Sequence, residues 1–118
     1  MLNFDSVYYH KDLAVLTRDR NFTCKLSKTM VRDIIKTAAE NNLNLKRKTI
    51  PFGGGRTDAA AFAAAGVEAT SIIAQPVGFF RNDHIYHTSK DIVENIDVDA
   101  VRAAIELATG YIRNIDHI

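Results

Sequence analysis

The stretch Ile50–Asp91, IPFGGGRTDAAAFAAAGVEATSIIAQPVGFFRNDHIYHTSKD, decides how this chain is read. Gly53-Gly54-Gly55 frees the backbone for tight or left-handed turns. Thr57 or Asp58 then caps a helix that runs to Ala65, and Gly66 ends it. Val67 to Ala74 follows almost directly, with Ile72 and Ile73 as the apolar centre of a strand. A long polar segment, Pro76 to Asn95, carries His84, His87, Asp83 and Asp91. Loop, helix, strand and polar loop in that order suggest an α/β site at the C-terminal end of a strand. The glycine loop is not a P-loop, because the Gly-Lys-Ser/Thr ending is absent. Nor is it a dinucleotide fingerprint, because Asp58 holds the last glycine position. An anion-binding turn remains open for it.

Working outward, Leu2 to Val7 alternates apolar and polar residues, a strand pattern of period two. Asp5 is placed near the end of that strand, since Asp is disfavoured inside one. Tyr8–Asp12 reads as a connection and Leu13–Thr17 as a second, more buried strand. Arg18–Lys25 reads as a polar loop. Ser27 is the expected N-cap of a helix to about Asn41, with Met30, Val31, Ile34, Ile35, Ala38 and Ala39 as its apolar stripe. Leu43–Ile50 reads as a charged, edge-like strand. Asp97 caps a last helix to about residue 114, with Val98, Val101, Ile105, Ala108, Ile112 and Ile115 repeating at helical spacing. Gly110 inside it implies close packing on the sheet. The expected fold is α/β: three α/β/α layers around a mixed sheet of about four strands.

Composition narrows the function classes. The 118 residues make one domain with room for a core, and a net charge of +1 gives no pull toward nucleic acid or an anionic membrane. No apolar run approaches the roughly 18 residues of a membrane span. Cys24 is the single cysteine, which excludes an internal disulfide and a cysteine metal cluster. No signal peptide is visible, which tilts the reading toward the cytoplasm. His84 and His87 with two nearby carboxylates raise the odds of a metal or acid–base site, because neutral imidazole binds metals and titrates near neutral pH.

Four segments together resemble a known family. They are Gly54-Gly55-Arg56-Thr57-Asp58-Ala59, Ala65-Gly66-Val67-Glu68-Ala69, Tyr86-His87-Thr88-Ser89-Lys90-Asp91 and Glu94-Asn95-Ile96-Asp97. With Asn3-Phe4-Asp5-Ser6-Val7, they are similar to the C-terminal half of the two-zinc aminopeptidases. This is the family of aminopeptidase Y, with glutamate carboxypeptidase and glutaminyl cyclase as relatives. The resemblance implies that His87 is the last ligand of one zinc and Asp5 a ligand of the other. It implies that Asp58 opens a helix beside the substrate cleft, supported by Thr57 and Tyr86, and that Asp91 holds the histidine loop. Three positions depart from the pattern: Tyr8 replaces a glycine, Glu68 a proline, and Ala59 a common histidine.

The same resemblance implies an incomplete site. The family's first His ligand, its bridging Asp and the Glu-Glu pair that includes the general base all precede the strand holding Asp5. The chain is therefore expected to be one piece of a larger peptidase domain, acting on peptides with two zinc ions when complete. Alone it is expected to be inactive, to bind zinc weakly, and to self-associate through exposed strand edges near Leu2, Phe4 and Val7. The alternative is a non-catalytic interaction domain on the same fold, since transferrin receptor is a relative that lost its metals.

Overall fold

A computed structural model describes residues 1–19, 24–50, 56–75 and 88–116. The strands are β1 (Leu2–Val7), β2 (Leu13–Asp19), β3 (Cys24–Lys25), β4 (Lys46–Thr49) and β5 (Thr70–Ala74). The helices are α1 (Lys28–Glu40), α2 (Asp58–Ala64) and α3 (Val98–Ile115), and short 3-10 turns occupy His10–Asp12 and Val93–Asn95. The sheet order is β1-β5-β2-β3, with β4 paired to β2. β1 runs parallel to β5, β2 runs antiparallel to β5, and β4 runs parallel to β2. The sheet is therefore mixed, as expected.

Alternation along the central strands builds two cores, one on each face. Leu13, Val15, Ile72 and Ala74 face α1 and α3, packing with Met30, Ile34, Ala103 and Leu107. Ala14, Leu16 and Ile73 face the other way and pack with Ala59 of α2. Fully burying one Leu or Ile side chain contributes about 1.5–3 kcal/mol, so these two layers hold the sheet from both sides. The result is an α/β/α sandwich.

Local signals set the helix ends. Ser27 Oγ accepts the Met30 amide at 3.1 Å, the expected N-cap of α1. Asn42 takes a left-handed φ of 55° after α1, and Gly66 one of 85° after α2. Both helices close with paired reversed hydrogen bonds: Leu43 N–H to Ala38 O, and Val67 N–H to Phe62 O. Asp97 Oδ1 accepts the Asp99 amide at 3.0 Å and caps α3.

Three expectations are corrected. Arg18–Lys25 is not all loop, because β2 continues to Asp19 and Cys24–Lys25 pairs back on it. Gly110 makes room for α1, not for the sheet: a Cβ there would sit 2.8 Å from Thr37 Cγ2 and 3.1 Å from Asn41 Nδ2. The buried face of α3 is Ala100, Ala103, Ala104, Leu107 and Tyr111, whereas Val98, Val101, Ile105, Ile112 and Ile115 are exposed. Small residues bring α3 close to its neighbours, and the larger aliphatic row is turned outward.

Candidate metal and substrate site

Asp5 lies where β1 loses its regular pairing with β5. Phe4 pairs with Ile72 and Val7 with Ala74, so β1 fits two residues where β5 fits one. This is a bulge at Asp5–Ser6, a device that re-aims side chains at sheet ends. Ser6 has a φ of 50°, a left-handed conformation rarely taken by residues other than Gly, Asn or Asp. The glycine-like residue is thus Ser6, two positions before Tyr8. Asp5 is half-buried, and its Oδ1 accepts the Ser6 hydroxyl at 3.2 Å.

Tyr8 carries the connection onward. Its backbone N–H donates to Ala74 O at 2.9 Å, and its carbonyl accepts the Asp97 amide at 2.8 Å. The His10 amide donates to Asp97 Oδ2 at 3.0 Å. The buried Tyr8 phenol donates to the Asp91 carboxylate and has Ser6 as a second hydrogen-bond neighbour. Burial first, then the Asp91 hydrogen bond and charge, push its pKa up to about 12. Asp91 itself is exposed, and its amide closes a turn onto Thr88 O at 3.1 Å. The segment from Thr88 to Asp97 is therefore stapled to the end of β1. Thr88 directly follows His87; His84, Tyr86 and His87, with Gly53–Gly55, lie outside the described residues.

Thr57 serves a different purpose from the expected cap. It occupies the N-cap position of α2, but its side chain makes no capping bond. Its amide donates to Asp19 Oδ1 at 3.0 Å, and its hydroxyl donates to Asp19 Oδ2. The Thr57 and Ser71 hydroxyls lie 2.7 Å apart, and Asn3 Nδ2 reaches Ser71 Oγ at 3.1 Å. Because the Thr57 proton points to Asp19, Ser71 donates to Thr57 and accepts from Asn3. Every proton in the relay runs toward one fully buried carboxylate, Asp19. Asp19 carried no signal in the sequence, where it sits in an ordinary polar run.

Asp58 is exposed, beside Thr57 at the start of α2. Ala59, at the position where the resemblance sets a histidine, is fully buried against Leu16 and Ile73. A histidine there would have to displace core. Glu68, in place of proline, is exposed and accepts the Ser27 hydroxyl at 3.2 Å. Among the described residues no three His, Cys, Asp or Glu side chains gather as a metal ion requires. Asp5 alone, as one carboxylate, is not a zinc site.

The sequence model of peptidase family M28 matches residues 1–112. The chain belongs to peptidase family M28. Its fold is similar to that of the Legionella pneumophila aminopeptidase LapA, with 15% identity and a TM-score of 0.73 over 97% of this chain and 30% of that one. It is equally similar to the Bacillus subtilis zinc aminopeptidase BSAP, with 20% identity and a TM-score of 0.72 over 97% of this chain and 27% of that one. No curated protein sequence matches. This M28 chain thus spans less than a third of the length of these two aminopeptidases. Among its described residues no helix is long and apolar enough to cross a membrane.

Proposed function

We propose that this chain is part of a zinc-dependent aminopeptidase that removes N-terminal residues from peptides. Asp5 would hold one zinc and His87 the other, with Thr57, Asp58, Tyr86 and Asp91 supporting or lining the substrate cleft. The observation that carries this reading is the bulged end of β1. There a half-buried carboxylate sits in a strained backbone, and Tyr8 and Asp91 tie that end to the segment beginning one residue after His87. Strain of this kind persists where the surroundings over-determine it, often at functional sites. Zinc, when bound, polarises a carbonyl and makes water a nucleophile near neutral pH.

Asp5 and His87 are assigned to different zincs, and a zinc site takes three or four protein ligands. The chain by itself is therefore expected to bind zinc weakly and not to turn over peptides. An aminoacyl-anilide assay with excess zinc tests this, run on the chain and on a longer polypeptide that supplies the missing ligands. Turnover by the longer form, lost in both Asp5→Asn and His87→Ala, is the expected result. Robust turnover by the chain alone, abolished by His87→Ala, would overturn the partial-site reading. A longer form whose activity ignores both substitutions would overturn the ligand assignment.

A further inference from the structure

The start of α1 and the end of β2 enclose a cleft of about 290 Å³. Arg18 of β2, Lys25 of β3, Lys28 and Arg32 of α1, and Arg47 of β4 line it, with no Asp or Glu among the described residues beside them. The chain as a whole is nearly neutral, at +1, yet five of its 15 Lys and Arg residues crowd this one small surface. Lys25, Lys28, Arg32 and Arg47 form no ion pair among the described residues. A concave wall carrying one sign of charge focuses its potential and draws in the opposite sign.

A bulge in β2 brings these cations together. Leu16 pairs with Lys48 of β4 and Arg18 with Thr49, so β2 fits two residues where β4 fits one. Strict alternation would put Leu16 and Asp19 on opposite faces. Instead Leu16 packs toward α2 and Asp19 holds Thr57 at the start of α2, both on one face. Arg18 is thereby turned to the other face, under α1. Arg47 pairs with Val15, which also faces α1, and Lys25 pairs with Arg18. Like charges directly opposite each other on paired strands are destabilising. The cleft lies far from the candidate zinc site. Val15 pairs with Ile72 on one side and Arg47 on the other, so β4 flanks β2 away from β5 and β1. β2 runs antiparallel to β5, so its end lies beside the starts of β5 and β1, whereas Asp5 lies toward the end of β1. Cleft and Asp5 occupy diagonally opposite corners of the sheet, and the ligands that Asp5 lacks must be supplied at its own corner.

We propose that this cleft binds a compact polyanion of two or three linked phosphoryl groups. Its volume is at the small end of ligand pockets, which run from about 300 to 1,000 Å³. Arg18, Arg32 and Arg47 offer planar forks that match phosphoryl oxygens two at a time, and Lys25 and Lys28 add point charges. The first turn of α1, beginning at Lys28, adds the positive end of a 13-residue helix. A single carboxylate would leave most of this charge unmatched, whereas several phosphoryl groups offset the repulsion between Arg18 and Lys25. No aromatic side chain among the described residues lines the cleft. It therefore has no platform on which a base would stack, and the phosphoryl groups alone are recognised.

Isothermal titration calorimetry with inorganic triphosphate tests the proposal, with citrate as the polycarboxylate comparison. It is run on the chain, on Arg32→Gln and Arg47→Gln, and on Arg102→Gln, which removes the same charge from α3 outside the cleft. All three arginines are exposed, so the variants keep the fold, which circular dichroism checks. One triphosphate per chain is expected, bound at least about tenfold more tightly than citrate. Affinity should fall at least about tenfold in each cleft variant and less than about twofold in Arg102→Gln. No saturable binding, equal affinity for citrate, or an equal loss in all three variants would each overturn the proposal. The titration is repeated on a longer polypeptide that holds the rest of the peptidase domain. Binding that persists there supports the site, and binding lost there would show the cleft covered in the whole domain and overturn it.

Discussion

Two runs of polar groups leave β1, and they end in opposite ways. One passes from Asn3 through Ser71 and Thr57 to Asp19, which is fully buried and accepts three hydrogen bonds from Thr57 alone. The other passes from Asp5 by Ser6 and Tyr8 to the exposed Asp91. In the first, the carboxylate is saturated and locks α2 to β2. In the second, Asp5 keeps an oxygen with no hydrogen-bond partner among the described residues, on a backbone bent to present it. A carboxylate that holds a fold needs all its lone pairs taken, whereas one that does chemistry needs some left over. The adjacent Thr57 and Asp58 thus divide the work: Thr57 is turned inward onto Asp19, and Asp58 faces solvent.

The sharpest way to break the contrast is Asp19→Ala. It leaves the Thr57 amide and hydroxyl buried without their acceptor, and an orphaned buried group costs about 1–3 kcal/mol. Two such groups predict a loss of about 3 kcal/mol or more. Urea denaturation should show a lower midpoint with an unchanged slope. A loss near zero would mean that the relay does not hold α2 in place.

Tyr8→Phe probes the other run, with a smaller effect. Losing the hydrogen bond to the exposed Asp91 should cost about 1 kcal/mol at neutral pH. The pH dependence is more telling. The folded-state pKa of Tyr8 is raised from 10.0 to about 12, by burial and then by Asp91. Its contribution is therefore complete below about pH 10 and is lost as pH rises toward about 12. Tyr111, also raised chiefly by burial, acts in the same direction. Stability of the natural chain should fall across that alkaline window, and Tyr8→Phe should make the fall shallower. An identical alkaline profile in the variant would detach Tyr8 from this linkage.

Much of the fold was legible because it is local. Ser27, Asp97, Asn42 and Gly66 mark helix ends through bonds within a few residues, and sequence shows such bonds directly. The apolar run Leu13–Thr17 and the apolar centre at Ile72 and Ile73 marked strands, and both strands proved buried. What was not legible is non-local. The α3 periodicity is real, but it cannot say which apolar row meets the sheet, and the row of larger residues proved to be the outer one. Asp19 and Thr57 are 38 residues apart, so nothing in either neighbourhood announces their bond. At the candidate site, the disfavour of Asp in strands pointed to an irregularity at Asp5, but β1 runs on to Val7 and the irregularity is a bulge, not the strand's end. The Ser6 conformation and the Tyr8–Asp91 bond arise only when β1, β5 and the segment before α3 meet.

The smallest expected effect is the most decisive, because the same chemical change can be made at both ends. Asp5→Asn and Asp19→Asn each replace a carboxylate by an amide of equal shape. At Asp19 the amide turns one acceptor oxygen into a donor facing the Thr57 donors, so a large loss is expected. At Asp5 the remaining oxygen still accepts the Ser6 hydroxyl, and the side chain is only half-buried. Removing its charge also relieves one of the repulsions that disfavour Tyr8 ionisation. Asp5→Asn should therefore change stability by no more than about 0.5 kcal/mol, in the range of ordinary exposed substitutions. Paired urea titrations of the two variants at neutral pH measure the difference directly. A gap of about 2 kcal/mol or more would mark Asp19 as the acid that holds the fold and Asp5 as the acid the fold can spare. Equal losses would show that Asp5 is also structural, and the case for it as a metal ligand would lose its physical basis.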